Sequence, residues 1–326
     1  MSKEPFFVVG YPRSGTTLLR FMLASHPRLF IPGETGFIPF LRAPADRPLD
    51  RREVRRVARR IARLNLEWQD AVAEAPALED ALVEPRLGEL IDALFRRRMR
   101  GSGAVRWGDK TPLYVLHIPA LAATFPTARF VHLVRDGRDV AASAVAKWGR
   151  RFPQRLYLDE TYVLLRWAEA VTRGRRAGGL LGGNRYLEVR YEDLVRRPEA
   201  CLSSVCDFLG EELHPEMLAH ERLARSLVAA GGHVEVREPT SPGRVGRWRR
   251  DLSPDCAWLA DRLLGSLLDE LGYQGPPVEK PSAAAGALLA ASLARYLAVR
   301  GAQRTLEALG RVPLSRDKRA SRRPSG

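Results

Sequence analysis

The chain has 326 residues, of which 45% are hydrophobic and 28% are charged. These proportions are ordinary for a soluble globular protein, and the length allows one large core or one domain with an appended segment. The formal net charge of +15 is not ordinary. It is compatible with nucleic acid, an anionic membrane or an acidic substrate as partner, and by itself it does not select among them.

The three cysteines, Cys201, Cys206 and Cys256, exclude an even disulfide framework and have the spacing of no common metal site. We therefore expect a reducing, cytoplasmic compartment, which agrees with the lack of a recognisable secretory signal near the start of the chain. The one long Ala/Leu stretch, 283–299, contains Arg295 and is only weakly apolar. We therefore expect no membrane-spanning helix.

The first predicted element is a short buried strand, which is followed by a glycine-containing turn and an apolar helix. Gly10 and Gly15 are spaced as in the nucleotide-binding loop G-x-x-x-x-G-K-S/T, with Thr17 at the hydroxyl position. Thr16 stands where ATP and GTP enzymes have their lysine, and a cation is present instead within the loop, at Arg13. Because backbone N–H groups and a helix dipole converge in this arrangement, the pattern predicts a site for a nucleotide with a different phosphate arrangement. A tight turn without a ligand is the alternative.

The next segment alternates short strands with amphipathic helices. Apolar runs predict strands at 29–31 and 129–134, and the segment 105–112 is predicted as a short strand that ends in a polar loop. Apolar residues at helical spacing predict helices at 51–68 and 78–99. The two helices are rich in arginine, and we expect their charged faces to be solvated.

The same alternation continues towards the C-terminus. Helical patterns resume at Val140 and at 162–176, and 185–191 is the last predicted strand. The segment 231–250 is rich in Gly, Pro and Arg and lacks periodicity, and a further helix is predicted at 254–271. This order of elements indicates an α/β domain with a mostly parallel sheet.

The predicted domain spans residues 1–278. Beyond it, residues 279–310 are expected to form a helical extension, and residues 311–326 a disordered basic tail. The arginines of the extension would suit weak contact with a membrane surface, or the helix would pack on a partner.

Three polar loops follow predicted strands, at 10–17, 108–112 and 135–143. Because ligands of doubly wound sheets bind at the carboxyl ends of the strands, we expect the three loops to meet at one edge. In the third loop, Arg135 and Ser143 suit a second phosphate, held by a guanidinium fork and a hydroxyl. The alternative is a surface turn with local ion pairs.

Two of these loops resemble motifs of the sulfotransferases that use 3′-phosphoadenosine 5′-phosphosulfate (PAPS). GYPRSGTT at 10–17 resembles their 5′-phosphosulfate loop, and FVHLVRDGRDVAAS at 130–143 resembles their 3′-phosphate motif. Blocks at 107–112, 188–194 and 243–248 are similar to recurring blocks of the bacterial branch. The arginine within the first loop is a further likeness to the tyrosylprotein sulfotransferases, because the cytosolic branch has lysine there.

The resemblance implies a P-loop-type three-layer α/β fold, PAPS as the sulfuryl donor and no metal. It also implies residue roles, which fall into four groups. The 5′-phosphosulfate would be held by Arg13, Ser14, Gly15, Thr16 and Thr17, the 3′-phosphate by Arg135 and Ser143, and the adenine would lie by Tyr191. The loop at 243–248 would close over the nucleotide, with Ser241, Arg244 and Arg247 as binding residues, although Ser-Pro-Gly stands here in place of the Arg-Lys-Gly of the cytosolic branch.

The implied chemistry is in-line attack of an acceptor hydroxyl or amine on sulfur. Arg13 and Lys110 would stabilise the charge that develops in the transition state. Glu34 would be the general base, since the segment 26–34 is similar to the one that carries the catalytic glutamate in the tyrosylprotein branch. A glutamate in a surface turn is the alternative, and Asp109 is either a second candidate base or a residue that orients Lys110.

The resemblance therefore implies a PAPS-dependent sulfotransferase with a small-molecule, carbohydrate or peptide acceptor. Two other functions stay open at the level of sequence. One is a metal-dependent phosphotransferase with a degenerate nucleotide loop. The other is a basic nucleic-acid-binding protein, which the net charge would suit, but the sequence lacks aromatic–basic interleaving and helix-turn-helix signals, so we expect no nucleic-acid partner. The sequence predicts neither the acceptor nor the oligomeric state.

Overall fold

The computed structural model describes residues 4–41, 43–70, 84–151, 159–227, 234–275, 282–283 and 285–308. The strands in this part of the chain are β1 (Phe6–Val9), β2 (Leu29–Phe30), β3 (Arg106–Lys110), β4 (Arg129–Val134) and β5 (Tyr186–Arg190). They form a parallel sheet in the order β2-β3-β1-β4-β5. The predicted α/β class with a mostly parallel sheet is confirmed.

The described helices lie between the strands and after the last one. They are α1 (Thr16–Ala24), α2 (Arg51–Leu64), α3 (Leu87–Met99), α4 (Ile118–Thr124), α5 (Gly137–Arg151), α6 (Glu160–Leu181), α7 (Tyr191–Arg196), α8 (Pro198–Leu209), α9 (Glu221–Leu227), α10 (Trp248–Asp251), α11 (Pro254–Glu270) and α12 (Ala285–Ala308). Short 3₁₀ helices occupy Ile38–Phe40, Leu66–Trp68, Pro112–His117, Pro215–Ala219, Val234–Arg237 and Pro242–Arg244.

β1 is buried on both of its faces. Phe7 and Val9 pack into one hydrophobic cluster, and Phe6 and Val8 pack into another. The split follows from strand geometry, because successive side chains point to opposite faces of the sheet. A parallel strand covered on both faces reads as an unbroken apolar run in the sequence. The resulting helix–sheet–helix arrangement confirms the predicted three-layer fold.

The order of the strands changes side at β1: β2 and β3 lie on one side of it, and β4 and β5 lie on the other. Phe7 lies opposite Asp109 of β3 on one side and opposite Phe130 of β4 on the other. A change of this kind opens a crevice at the carboxyl ends of the strands. The loops after β1, β3 and β4 therefore meet at one edge of the sheet, which is where the candidate site lies.

Three helices differ in extent from the sequence prediction. The one predicted at 51–68 is α-helical from Arg51 to Leu64, and a separate 3₁₀ helix follows at Leu66–Trp68. The helix predicted at 78–99 is found from Leu87 onwards, and residues 78–83 lie outside the described part of the chain. The helix predicted at 162–176 is longer at both ends and spans Glu160–Leu181; it begins there because the Asp159 carboxylate accepts from the backbone N–H of Tyr162 in its first turn. Hydrophobic periodicity indicates the middle of a helix better than its ends.

The predicted helical extension is confirmed as α12, and it packs against α6. Arg295 and Ser292 contact the carboxylate of Asp159 at 2.6 and 3.0 Å, and the hydroxyl of Tyr296 lies 3.3 Å from Glu169. The predicted domain boundary and the tail at 311–326 lie outside the described residues. Among the described helices, none is both long and apolar enough to cross a membrane.

Candidate active site

The loop between β1 and α1 has an unusual backbone. Gly15 precedes α1 with a φ of +94°, and Arg13 has a φ of +75°. A positive φ is uncommon for a residue with a side chain, and such strain concentrates at ligand sites. No side chain caps the first turn of α1, so its N–H groups and the positive end of the helix dipole are available to an anion.

A buried hydroxyl in this loop lacks a partner. Ser14 is 1% exposed, and its Oγ has no hydrogen-bond partner among the described residues. Burying an unsatisfied hydroxyl costs free energy, and a bound oxyanion would remove that cost by accepting a hydrogen bond. The ring of Tyr191 packs directly on Gly15, where a Cβ atom would collide with it. The loop thus fits an anionic group, with an aromatic ring at its edge.

The two predicted phosphate loops contact each other through Arg13. Its Nε donates to the Oγ of Ser143 over 3.2 Å, and Arg135 donates to the Arg13 carbonyl over 3.2 Å. Arg135 also donates to the Arg244 carbonyl over 2.6 Å, and its guanidinium lies 4.4 Å from the ring centre of Tyr191. The structure therefore brings these five predicted residues into one cluster, at the carboxyl ends of β1 and β4.

Positively charged side chains lie close together in this cluster. Burial lowers the pKa of Arg13, the neighbouring Arg135 and Arg244 lower it further, and Glu235 opposes the shift. Glu235 lies 3.5 Å from Arg13 and 3.8 Å from Arg244, and the ammonium of Lys147 is 4.0 Å from the same carboxylate oxygen. Positive charge held close together and partly removed from water favours the binding of an anion.

The loop at 243–248 is fixed to α5 by a buried carboxylate. Asp139 accepts hydrogen bonds from the backbone N–H groups of Gly246 and Trp248, each over 2.8 Å. The guanidinium of Arg138 lies 4.0 Å from the centre of the Trp248 ring. Asp139 and Arg138 belong to the second phosphate motif, so this motif also sets the position of the loop predicted to close over the nucleotide.

Two residues predicted to contact the nucleotide, Ser241 and Arg247, make other contacts in the structure. The hydroxyl of Ser241 is exposed and accepts from the Gly243 N–H over 3.2 Å. Arg247 pairs with Asp251 one helical turn on, at 2.7 Å. In the structure, Arg244 is the member of this group that joins the cluster, through its carbonyl and its guanidinium.

The predicted catalytic residues Glu34 and Lys110 meet beside the first loop. Lys110 Nζ lies 2.5 Å from Glu34 Oε1 and 3.3 Å from the hydroxyl of Thr17 in the first turn of α1. The Lys110 side chain is 3% exposed, whereas that of Glu34 is 43% exposed. A buried ammonium thus links the phosphate loop to a carboxylate that solvent can reach.

A buried network holds the backbone of Glu34. The Asn65 side-chain amide donates to the carbonyls of Glu34 and Thr35, over 2.9 and 3.0 Å. The hydroxyl of Thr35 bonds to the carboxylate of Asp109, and it lies 2.7 Å from the hydroxyl of Tyr114. These contacts fix the direction in which the Glu34 side chain leaves the chain.

Asp109 belongs to this network. It is fully buried, and it accepts from Thr35 and, over 2.8 Å, from Thr111. Burial raises the pKa of Asp109 to about 6, although the two threonine hydroxyls act in the opposite direction. The hydrogen bonds of Asp109 go to the two threonines, and Lys110 acts on its carboxylate electrostatically by lowering the pKa, so the expectation that Asp109 orients Lys110 stays a prediction.

The sequence has six histidines, and two of those in the described part of the chain, His132 and His26, are held by contacts within the fold. His132 is fully buried beside the Tyr186 hydroxyl at 2.6 Å, and burial lowers its pKa to about 3. His26 contacts the Glu212 carbonyl and the Arg28 N–H. His233 lies outside the described residues. No group of three or more His, Cys, Asp or Glu side chains within the described ranges is placed to hold a metal ion.

Sequence reasoning missed several members of the site. Lys147 follows Ser143 by one helical turn, so helical spacing would have placed both on one face of α5. Asn65 lies within the helix predicted at 51–68, and no sequence pattern indicates that its side chain holds the backbone of Glu34. Glu235 lies in a segment without periodicity, where no local pattern indicates which side chains face the cluster.

The sulfotransferase family model matches residues 5–215, which include both phosphate loops. Protein-tyrosine sulfotransferase A of Caenorhabditis elegans is 26% identical over 278 residues, which are 83% of this chain and 67% of that protein. Protein-tyrosine sulfotransferase 1 of Danio rerio is 29% identical over 288 residues, 82% of this chain and 71% of that protein. The sulfotransferase domain of the Synechococcus PCC 7002 olefin synthase has the same fold, with a TM-score of 0.57, 24% identity, and coverage of 84% of this chain and 97% of that domain.

Proposed function

Since the chain belongs to the sulfotransferase family, we propose that it transfers a sulfuryl group from PAPS to a hydroxyl acceptor, with the tyrosine hydroxyl of a peptide as the first candidate. The observation that carries the proposal is the contact of Arg13 with Ser143, at 3.2 Å, which joins the two loops predicted to bind anions. The peptide acceptor is supported by the relatives, which are named protein-tyrosine sulfotransferases.

The residues present fit a nucleotide with two separate anionic groups. The first anion would meet the uncapped start of α1 and the partnerless hydroxyl of Ser14. The second would meet Arg135 and Ser143, while Arg13 lies between the two. A donor with phosphosulfate at the 5′ position and phosphate at the 3′ position has this distribution of charge.

When bound, PAPS supplies the sulfuryl group: the acceptor oxygen bonds to sulfur while the bond from sulfur to the 5′-phosphate oxygen breaks, and 3′,5′-bisphosphoadenosine (PAP) leaves with that electron pair. Arg13 and the N–H groups at the start of α1 stabilise the negative charge that grows on the leaving oxygen. Lys110 is placed between the loop and Glu34, so its ammonium stabilises charge on the same side.

Glu34 takes the proton of the acceptor hydroxyl. Its carboxylate is 43% exposed, and an acceptor arriving from solvent can therefore reach it. Its backbone is held by Asn65, so the carboxylate is presented at a fixed position. Such positioning is what a general base requires, because it must lie within hydrogen-bond distance of the proton.

Thermal unfolding in the presence of nucleotides tests this proposal. We expect PAP to raise the melting temperature, and we expect ATP with Mg²⁺ to leave it unchanged, since the loop lacks the lysine for β- and γ-phosphates. Arg135→Ala should abolish the effect of PAP, because it removes a cation from the second anion site. Stabilisation by ATP with Mg²⁺ but not by PAP would contradict the proposal and favour a phosphotransferase.

A further inference from the structure

The outer face of α12 consists of small and apolar residues. Between residues 286 and 302, where the structure describes every position, each exposed residue is Gly, Ala or Leu. The two largest of them, Leu293 and Leu297, are 42% and 60% exposed, and they lie one helical turn apart. This range of α12 thus presents an uncharged surface to the outside of the fold.

A helix that faces water has a different composition, as α2 shows. Each exposed position of α2 is an arginine, whereas Val54, Val57 and Ile61 are buried. A solvated helix combines a buried apolar stripe with a charged outer stripe in this way. The outer side of α12 between 286 and 302 lacks the charged stripe over a length of about 24 Å. An exposed apolar surface of this kind is typical of a site that binds a protein or a membrane.

The arginines of this range lie on the side of α12 that packs on the domain. Arg295 pairs with Asp159 at 2.6 Å, and Arg300 pairs with Glu169 at 2.7 Å. Two further side chains of α12 contact the same two carboxylates. These contacts hold α12 against α6 in one rotational position, so the apolar side stays outward.

The chain that follows α12 is strongly basic. Residues 309–326, which lie outside the described residues, contain six arginine or lysine residues and one aspartate. An apolar helical face that continues into a cationic segment suits a bilayer with acidic lipids. Apolar side chains enter the boundary between headgroups and acyl chains, and nearby cations are attracted to the negative surface.

Two other partners suit this surface less well. A second copy of the chain would bring two cationic segments and two net charges of +15 together, and their repulsion opposes a dimer. A nucleic acid would be attracted by the basic segment, but it would meet no charge at the exposed positions of α12 between 286 and 302. The combination of an apolar face with adjacent positive charge therefore favours a lipid surface.

We propose that the outer face of α12 and the basic segment 309–326 bind the surface of a membrane that contains acidic lipids, with α12 lying along that surface. Leu293 and Leu297 enter the boundary region, and the basic segment supplies the electrostatic attraction. Because two leucines are a small anchor, the binding is reversible and weakens at high salt. The inference goes beyond the proposed function and does not depend on the nucleotide site.

Sedimentation of the full chain with lipid vesicles tests the leucines. We expect binding to phosphatidylcholine vesicles that contain about 30% phosphatidylserine, and little binding to phosphatidylcholine alone. Leu293→Ala combined with Leu297→Ala preserves the helix and should weaken binding to the acidic vesicles about tenfold. The matched control combines Leu180→Ala with Leu227→Ala, which changes leucines that are 84% and 62% exposed on α6 and α9. This control should bind as the unmodified protein does.

The same assay tests the basic segment. Arg322→Gln combined with Arg323→Gln should weaken binding to the acidic vesicles about tenfold, because it removes two cations from the surface. Arg52→Gln combined with Arg56→Gln removes the same charge from the exposed face of α2, and we expect a change of about twofold or less. Equal losses in the two variants would show that net charge alone attracts the protein, and would overturn the role of the segment.

Three further results would contradict the proposal. Unchanged binding of the variant with Leu293→Ala and Leu297→Ala would show that the apolar face is not in contact with the lipid. Equal binding to vesicles with and without phosphatidylserine would exclude the electrostatic attraction. A failure of the unmodified protein to bind acidic vesicles, together with a dimer in analytical ultracentrifugation that the leucine variant does not form, would assign the face to a second copy of the chain.

Discussion

Lys110 and Glu34 are hydrogen-bonded, Nζ to Oε1 at 2.5 Å, although 76 positions separate them in the chain. Their meeting follows from the sheet. β2 pairs with β3 in parallel, with Phe30 opposite Trp107, so the residues that follow each strand leave the sheet at the same edge. The same edge holds the start of α1, and Lys110 also contacts Thr17 there. The register of two short strands thus places a base candidate beside the phosphate loop.

Glu34→Gln should keep nucleotide binding and lose turnover. The amide has the same shape but cannot accept the proton of the acceptor, and loss of a general base lowers rates by roughly 10²–10⁴-fold. PAP titration and a sulfate-transfer assay measure the two properties separately. Glu67→Gln is the matched control, as it changes a nearby carboxylate outside the Lys110 contact. Unchanged turnover in Glu34→Gln would assign the base to another residue.

Arg13→Ala should lower the rate of transfer by roughly 10²–10³-fold, because it removes a preorganised cation from the charge that develops in the transition state. We expect the fold to persist, since Arg13 lies in a loop and a small side chain leaves its neighbours in place. Near-normal turnover with saturating donor would refute the role of Arg13. Arg222→Ala serves as the control, because that side chain is 70% exposed and pairs with Glu216.

Asp109→Asn should change how stability depends on pH. The pKa of the buried carboxyl rises from 3.8 to about 6 on folding. Below both pKa values the Asp109 carboxyl is protonated in the folded and in the unfolded chain. Above both values it is ionised in each, and keeping the ionised carboxylate buried costs free energy in the folded chain only. Relative to Asp109→Asn, the unmodified protein should therefore lose about 3 kcal/mol of unfolding free energy as pH rises between those two values.

Urea unfolding of both proteins at pH values about one unit below and about one unit above that range checks this prediction. Other titrating groups are common to both proteins, so they cancel in the difference. A difference that stays constant with pH would show that Asp109 titrates near its ordinary value.

Gly15→Ala should destabilise the protein and weaken PAP binding. The added Cβ would collide with the ring of Tyr191, and the φ of +94° is strained for alanine, a cost of about 1–3 kcal/mol. Gly179→Ala is the contrasting variant, because its Cβ would meet nothing within 4 Å on the exposed face of α6. That change should stabilise the helix by about 0.5–1 kcal/mol. Equal effects of the two substitutions on unfolding would contradict the packing of Tyr191 on Gly15.

Much of the fold was predictable because its signals are local. The apolar run of β1, the glycines of the first loop and the arginine of the second motif each lie within a few residues of the element that they define. Glu34 and Lys110 were predicted separately, by resemblance. The structure adds the contact between them, since this depends on the pairing of β2 with β3.

The rest depends on tertiary packing that no local pattern encodes. Asp139 was visible as part of a motif, but its hydrogen bonds to Gly246 and Trp248 cross from α5 to a segment without periodicity. The same segment supplies Glu235, and it directs Ser241 and Arg247 away from the cluster. In such a segment, the direction of each side chain depends on the tertiary hydrogen bonds that hold the backbone, such as those to Asp139, and these cannot be predicted from the local sequence.

The central claim is that this chain transfers a sulfuryl group from PAPS with Arg13 and Glu34 as catalytic residues. The most direct measurement is mass spectrometry of extracts and tyrosine-containing peptides incubated with isotopically labelled PAPS and the protein. The account predicts a labelled sulfate ester on an acceptor with the unmodified protein, and little or none with Arg13→Ala or Glu34→Gln. Transfer by both variants at the unmodified rate, or the absence of any labelled acceptor with the unmodified protein, would contradict it.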